Sequence, residues 1–274
     1  MTGTVGIVGV GLLGGSLAMA AKARGAARRL LGHDRLPGVM LRAVERGLID
    51  EARDTLSALA AECDLVVFCT PVDAIPRQVL EAAPHCRPGT VLTDVGSTKA
   101  GIVRALEGKL PPGVAFVGGH PLAGSERSGS EHSRSNLFDG RLVLLTPSPE
   151  GMGVVEEFWK RLGARVEQID AAEHDHALAL TSHLPHLVAS ALAGILPKEW
   201  ERVTASGFRD TTRLAGGSPE LWRAIFLANR APLAEALASL ACRLDEYAAA
   251  LSAGDGAALV RLLDEAKQAR DRLQ

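Results

Sequence analysis

Three groups of residues in this chain are of types that do chemistry. The first is Gly118-Gly119-His120-Pro121-Leu122-Ala123-Gly124-Ser125, which follows the short apolar run Val114-Ala115-Phe116-Val117. A histidine there sits where a buried strand ends; two glycines leave room for close approach to the backbone, and a proline stiffens the exit. Imidazole exchanges a proton near neutral pH, so His120 is either an acid–base group or a histidine satisfied by a loop carbonyl. The second group is Glu173-His174-Asp175-His176 with Ser182-His183-Leu184-Pro185-His186. His176 and His183 are seven apart and share a helical face, as a metal pair would. Pro185 disturbs the helix, however, and the spacing fixes no carboxylate beside them, so no metal is expected. These histidines read instead as polar groups facing a crevice, or as caps and bonds within a bundle. The third group, Ser206 to Ala215, is too polar for a core helix and suits a binding loop. Arg213 within it either clamps a carboxylate through two N–H donors or makes a salt bridge.

The elements that must position these residues begin with Val5-Gly6-Ile7-Val8-Gly9, a short buried strand. It runs into Gly9-Val10-Gly11-Leu12-Leu13-Gly14, a Gly-x-Gly-x-x-Gly turn that opens a helix through Leu17 to Arg24. Such a turn lets a pyrophosphate approach the N–H donors at a helix N-terminus. A second strand, Arg29–Gly32, ends at His33-Asp34, and Asp34 lies 20 residues past Gly14, the spacing of a carboxylate that binds the adenosine ribose of NAD. A carboxylate there repels a 2′-phosphate, while Arg35 and Arg42 leave room for NADP. Strands at Asp64–Cys69 and Val91–Val95 alternate with helices at Val39–Arg46, Leu56–Ala60, Ile75–Ala83 and Gly101–Leu110, which implies a parallel sheet. Ligands collect at the carboxyl ends of such strands, and topology places Ser97 and His120 in that row. Ser125–Phe138 reads as a mobile loop over the site, and Arg141–Thr146 and Arg165–Ile169 as strands, the latter closing the sheet. After Ala171 the pattern turns to alanine- and leucine-rich helices at Ala172–Leu196, Lys198–Thr204, Trp222–Cys242 and Leu244–Leu273. The expected architecture is α/β: an N-terminal Rossmann-type doubly wound sheet over residues 1–170 and an all-helical domain over 171–274. Long apolar helices in so small a unit predict a homodimer through the helical domain.

Composition narrows the classes. Of 274 residues, 47% are hydrophobic and 23% charged, as in globular proteins, and the net charge of −2 is spread without a basic patch for nucleic acid or membrane. Cys63, Cys69, Cys86 and Cys242 form no Cys-x-x-Cys pair, which argues against a disulfide framework or a zinc cluster. With no signal-like start and no run of membrane-spanning length, the expected location is cytoplasmic.

The motifs together resemble the TyrA family of prephenate and arogenate dehydrogenases. The matching stretches are Gly9–Ser16, Cys69-Thr70-Pro71, Thr93–Lys99, Gly118–Gly124, Leu137-Phe138, Thr146-Pro147, His174-Asp175, Ser182–His186, Gly207–Arg213 and Ser218–Trp222. The resemblance implies oxidative decarboxylation of a cyclohexadienyl ring, giving 4-hydroxyphenylpyruvate from prephenate or tyrosine from arogenate, in an active site between a Rossmann and a dimerisation domain. It makes His120 the catalytic base and Ser97 its partner. Arg213 and His186 become substrate-binding residues, with His183 as the alternative histidine contact and Trp222 placed where some members reach the neighbouring subunit. The cofactor set is Gly9, Gly11, Leu12, Leu13 and Gly14 at the turn, Asp34 and Arg35 after the second strand, and Cys69, Thr70, Pro71 and Asp94 at the next strand ends. Prephenate is the expected substrate because His186 suits an acceptor-rich side chain, whereas Asp210 would welcome the ammonium of arogenate. No mutase helices precede the first strand and no regulatory-sized segment follows the helices, so a monofunctional enzyme is expected. Another two-domain Rossmann oxidoreductase would share only the glycine turn, and a dead NAD-binding sensor would not need both His120 and Arg213.

Overall fold

The computed structural model describes residues 2–124 and 129–273. The chain packs as two compact units, residues 1–229 and 230–274. In the first, β1 (Thr2–Val8), β2 (Ala27–His33), β3 (Glu51–Ala52), β4 (Leu65–Phe68), β5 (Val91–Asp94) and β6 (Ala115–Val117) form one sheet in the order β3-β2-β1-β4-β5-β6. Every neighbouring pair is parallel. That is the order of a doubly wound dinucleotide fold, with its switch point at β1/β4. Residues Leu65–Phe68 and Val91–Asp94 are buried throughout because helices cover both faces, which is why these strands read as unbroken runs. One face packs Ile7, Val67 and Leu17 of α1 (Leu12–Ala23) with Phe158 and Trp159. The other packs Val66, Phe68 and Leu92 against Leu59 of α3 (Leu56–Glu62) and Ile75 and Val79 of α4 (Ile75–Ala82), while α2 (Pro37–Glu45) links β2 to β3.

The next strands do not close this sheet as expected. β7 (Gly119–Pro121), β8 (Leu142–Leu145) and β9 (Arg165–Gln168) form a separate three-stranded sheet, β7 antiparallel and β9 parallel to β8. The chain leaves the first sheet at Gly118, whose N–H donates to Thr146 Oγ1 (3.1 Å) and whose carbonyl accepts from Thr146 N (2.8 Å). A Cβ at Gly118 would lie 2.7 Å from Thr146 Oγ1, so only glycine allows this crossing. His120 therefore sits inside β7, opposite Leu144, and not at the end of β6. Of the expected mobile loop, Ser125–Ser128 lies outside the described residues. The part after it packs on α1: Arg134 N donates to Ser16 Oγ (3.0 Å), and Ser133 Oγ to Leu12 O (3.3 Å).

α5 (Ala100–Leu106) and α6 (Met152–Arg161) complete the α/β part, and helices follow. The expected helix over 172–196 is three pieces, α7 (Ala171–Leu178), one π-helical turn (Ala179–His183) and α8 (Leu184–Gly194). α9 (Ser206–Thr212), a 3-10 turn at Arg213–Gly216 and α10 (Pro219–Ala228) end the first unit. The expected helix over 222–242 breaks at Asn229. The second unit is a hairpin of α11 (Arg230–Ala253) and α12 (Gly256–Asp271), divided at Gly254 (φ +66°) and capped by Asp255, which accepts from Ala258 N (2.9 Å). Among the described residues no single helix is long and apolar enough to cross a membrane.

Candidate active site

The backbone before His120 is clamped by a buried ion pair. Asp94 closes β5 and Lys99 precedes α5; both side chains are fully buried and bonded to each other. Lys99 Nζ also donates to Gly119 O (2.8 Å), and Gly119 N donates to Asp94 Oδ1 (3.0 Å), so both polar groups of Gly119 are held by one pair. Asp94 Oδ2 accepts a further bond from Gly96 N (2.8 Å). Burial lowers the Lys99 pKa, against the opposing pull of Asp94. A Cβ at Gly119 would lie 2.7 Å from Asp94 O, which leaves glycine as the residue that fits.

The His120 ring is held from the helical side. Its Nδ1 lies 2.9 Å from His174 Nε2, and His174 Nδ1 lies 2.8 Å from Asp175 Oδ1. Asp175 also accepts Lys99 N (2.7 Å) on Oδ1 and Ala100 N (2.9 Å) on Oδ2. Burial pushes the Asp175 carboxyl up, yet the bonds from His174, Lys99 N and Ala100 N leave it below its ordinary value. Burial, reinforced by His174, Lys99 and His183, holds His120 well below the usual histidine value, so it is a neutral base at pH 7. α7 delivers this dyad: Asp170 caps it by accepting from Ala172 N (2.8 Å) and Glu173 N (3.2 Å), and His174, Asp175 and Leu178 face inward.

The π-helical turn brings His183 inward. Asn229 Nδ2 donates to Asp175 O (2.7 Å) and to His183 Nδ1 (3.0 Å), and burial pushes the His183 pKa down to about 4. An amide nitrogen only donates, so His183 Nδ1 is the accepting nitrogen and the proton stands on Nε2. That Nε2 is buried and has no partner among the described residues. His186, buried on α8, stacks on Trp222 (centroids 3.6 Å apart, 16° between planes), and Gly217 gives them room. Burial lowers the His186 pKa as well.

A crevice of about 870 Å³ lies at the carboxyl ends of β1, β2 and β4. Of the residues expected at the cofactor, Gly9, Gly11, Asp34, Arg35, Cys69, Thr70 and Pro71 line it, and Arg42 joins them. Gly9 has φ +89°, and a Cβ at Gly14 would meet Gly9 O at 2.1 Å, so both glycines are required by the turn itself. At Gly11 a Cβ would meet nothing within 4 Å, and α1 begins there with no side-chain cap. Open space beside uncapped helix N–H groups fits a pyrophosphate. Asp34 accepts Val10 N (3.3 Å) and Leu36 N (3.0 Å), which fixes its carboxylate beside the turn.

Other expected residues stand apart. Leu12, Leu13 and Gly14 form the first turn of α1 but do not line the crevice. Asp94, expected at the cofactor, is sealed behind the site with its oxygens engaged by Lys99, Gly96 and Gly119. Ser97 is partly exposed beyond β5; among the described residues the bond to the His120 ring comes from His174. Arg213 is exposed at the start of its 3-10 turn, and no ion pair holds it among the described residues. Trp222 packs on His186 of its own chain. His174, Asp175, Lys99 and Asn229 carry the geometry without having been assigned roles from sequence. The signal for His174 and Asp175 is the polar run Glu173-His174-Asp175-His176, and Lys99 closes the matching stretch Thr93–Lys99.

The chain as a whole has counterparts. The family model for the prephenate dehydrogenase nucleotide-binding domain matches residues 17–168, and that for the prephenate dehydrogenase dimerization domain matches residues 170–265. The cyclohexadienyl dehydrogenase of Zymomonas mobilis is 33% identical over 97% of this chain and 94% of its own length. A crystal structure of prephenate dehydrogenase from Aquifex aeolicus with hydroxyphenyl propionate and NAD+ superposes with a TM-score of 0.91 at 32% identity, covering 100% of this chain and 99% of that one. Synechocystis arogenate dehydrogenase gives 0.81 at 33% identity, over 99% and 100%. The two family models together span residues 17–265 and these relatives match along nearly the whole chain, so the chain belongs to the prephenate dehydrogenase family.

Proposed function

We propose that this protein is an NAD-dependent prephenate dehydrogenase of tyrosine biosynthesis that converts prephenate to 4-hydroxyphenylpyruvate, with arogenate as the alternative substrate. The observation that carries this is His120, set on β7 behind the clamped backbone of Gly119 and bonded through its ring to His174. Gly9 and Gly11 with Asp34, Arg35, Cys69, Thr70 and Pro71 would hold the dinucleotide, and Leu12, Leu13 and Gly14 would shape the turn that presents the helix N-terminus to it. Bound NAD would supply the hydride acceptor. Neutral His120 takes the proton of the C4 hydroxyl: the O–H bond breaks, an N–H bond forms, and the carbonyl develops as the C4 hydrogen leaves with its electron pair. The ring carboxyl then departs as carbon dioxide: its bonding pair passes through the ring to the C4 oxygen, which takes back the proton from His120 as the ring becomes aromatic. Ser97 orients the hydroxyl, and Arg213, with His186 and His183 on the helical side, holds the substrate carboxylates in register. Trp222 braces His186.

A carboxylate at Asp34 favours NAD, and Arg35 and Arg42 beside it leave NADP as the second cofactor to test. We place the boundary between cofactor and helical domains at residue 170, and the active site in a homodimer formed through the helices. Leu237, Leu244 and Leu251 on α11 are 40%, 57% and 66% exposed at seven-residue spacing, an apolar seam suited to a second copy. A cytoplasmic location fits this metabolic role. Steady-state assays with prephenate and with arogenate, each with NAD and NADP, test the proposal. Prephenate with NAD should give the highest kcat/KM, and turnover of neither substrate would sink it.

A further inference from the structure

We propose that His174 and Asp175 are positioning residues that set which nitrogen of His120 is the base. This rests on His120 being the base of the reaction proposed above. Asp175 is an acceptor on both oxygens, since Lys99 N and Ala100 N donate to them from fixed backbone. The His174 nitrogen facing it, Nδ1 at 2.8 Å, therefore carries a proton. In a neutral imidazole the other nitrogen, Nε2, is then bare and accepts. His120 Nδ1 stands 2.9 Å from that Nε2, so the proton between the rings belongs to His120 Nδ1. His120 Nε2 is left with its lone pair free and takes the substrate proton. Free histidine prefers the opposite tautomer, with the proton on Nε2, so the dyad holds the ring in its minor form. The new charge on His120 then arises two hydrogen bonds from the Asp175 carboxylate, the arrangement by which a buried acid orients and supports a catalytic histidine. No proton needs to pass along the chain, because the Asp175 end is closed by backbone donors.

The direct test is nitrogen-15 histidine NMR of the wild-type protein at neutral pH, with the His120 signals assigned by their loss in His120→Asn. The two-bond couplings should show a proton on Nδ1 and a bare Nε2 for His120; a proton on Nε2 would overturn the assignment whether or not prephenate is turned over. In His174→Leu the His120 pattern should revert to the Nε2–H form and kcat should fall about 10- to 100-fold, with KM within about threefold. His174→Gln offers an oxygen to His120 and an NH2 to Asp175, and should restore both the tautomer and most of kcat. A folded His174→Leu with unchanged kcat and unchanged His120 couplings would also overturn it. If that variant does not fold, the wild-type spectrum decides alone.

Discussion

The dinucleotide crevice and the histidine cluster are built from different parts. In the crevice the backbone presents the ligand surface: glycines set the turn, α1 offers uncapped N–H groups, and few side chains need to be right. In the cluster the backbone recedes. Side chains from β5, the loop before α5, β7, α7, the π-helical turn and Asn229 form short bonded sets, all of them buried except His120, which is partly exposed. The crevice should tolerate polar substitution and respond to added volume, whereas the cluster should respond to lost partners and to pH. A turn stabilised by backbone geometry fails by collision; a buried polar network fails by orphaning one member.

Four measurements would break or sharpen that contrast. His120→Asn should lower kcat about 10³-fold or more, with KM and NAD affinity nearly unchanged, since it keeps shape and removes the base. Near wild-type kcat would remove His120 from the chemistry. Lys99→Met leaves the Asp94 charge buried and unpaired, and urea unfolding should show a loss of about 3–5 kcal/mol. A wild-type midpoint would mean that the clamp on Gly119 is not needed. Acid should weaken the cluster in a defined window. His120, His183 and His186 are all depressed in the folded protein, so below about pH 6.5 the unfolded chain binds protons first and stability falls with pH. His183 alone would contribute a loss of roughly 3 kcal/mol on descending from its unfolded value to about pH 4. Asp175 acts only below its ordinary carboxyl range, and a stability profile flat from pH 7 to 4.5 would contradict the window. The smallest effects separate two glycines of the crevice. Gly14→Ala should cost about 1–3 kcal/mol through contact with Gly9 O. Gly11→Ala should leave Tm alone and raise the KM for NAD about tenfold, by narrowing the approach to the helix N-terminus. If both variants lose stability, Gly11 is structural after all.

The crevice was the legible half. Its cofactor residues fall in short local motifs, and the spacing from Gly14 to Asp34 reports a strand, a helix and a strand that fit around one ligand. The parallel sheet was legible for the same reason, as buried runs alternating with helices. β7 was not, because three residues after Gly118 show no period, and the sheet they join is recruited from strands more than twenty residues away. The histidine cluster was half legible. His120 and His186 stood out through their motifs, whereas the bond between His120 and His174 spans 54 positions and follows from tertiary packing alone. Lys99 reads only as the end of the stretch Thr93–Lys99, and nothing local reveals that it turns back under Gly119. Asn229 was hidden inside an apparently continuous helix.

The π-helical turn at Ala179–His183 has a consequence for how such a site changes over time. It is a helix carrying one residue more than regular winding needs, and each residue of an α-helix turns the next by about 100°. Substitutions along α8 alter which side chain meets Trp222, but leave its aim fixed. Loss of a single residue, such as the exposed Leu180, would let the segment rewind as α-helix with α8 and His186 keeping their face, because the wide turn is what absorbs the extra ~100°. The helical side can therefore change length by one residue within this turn while His186 stays against Trp222 and the base on β7 is untouched.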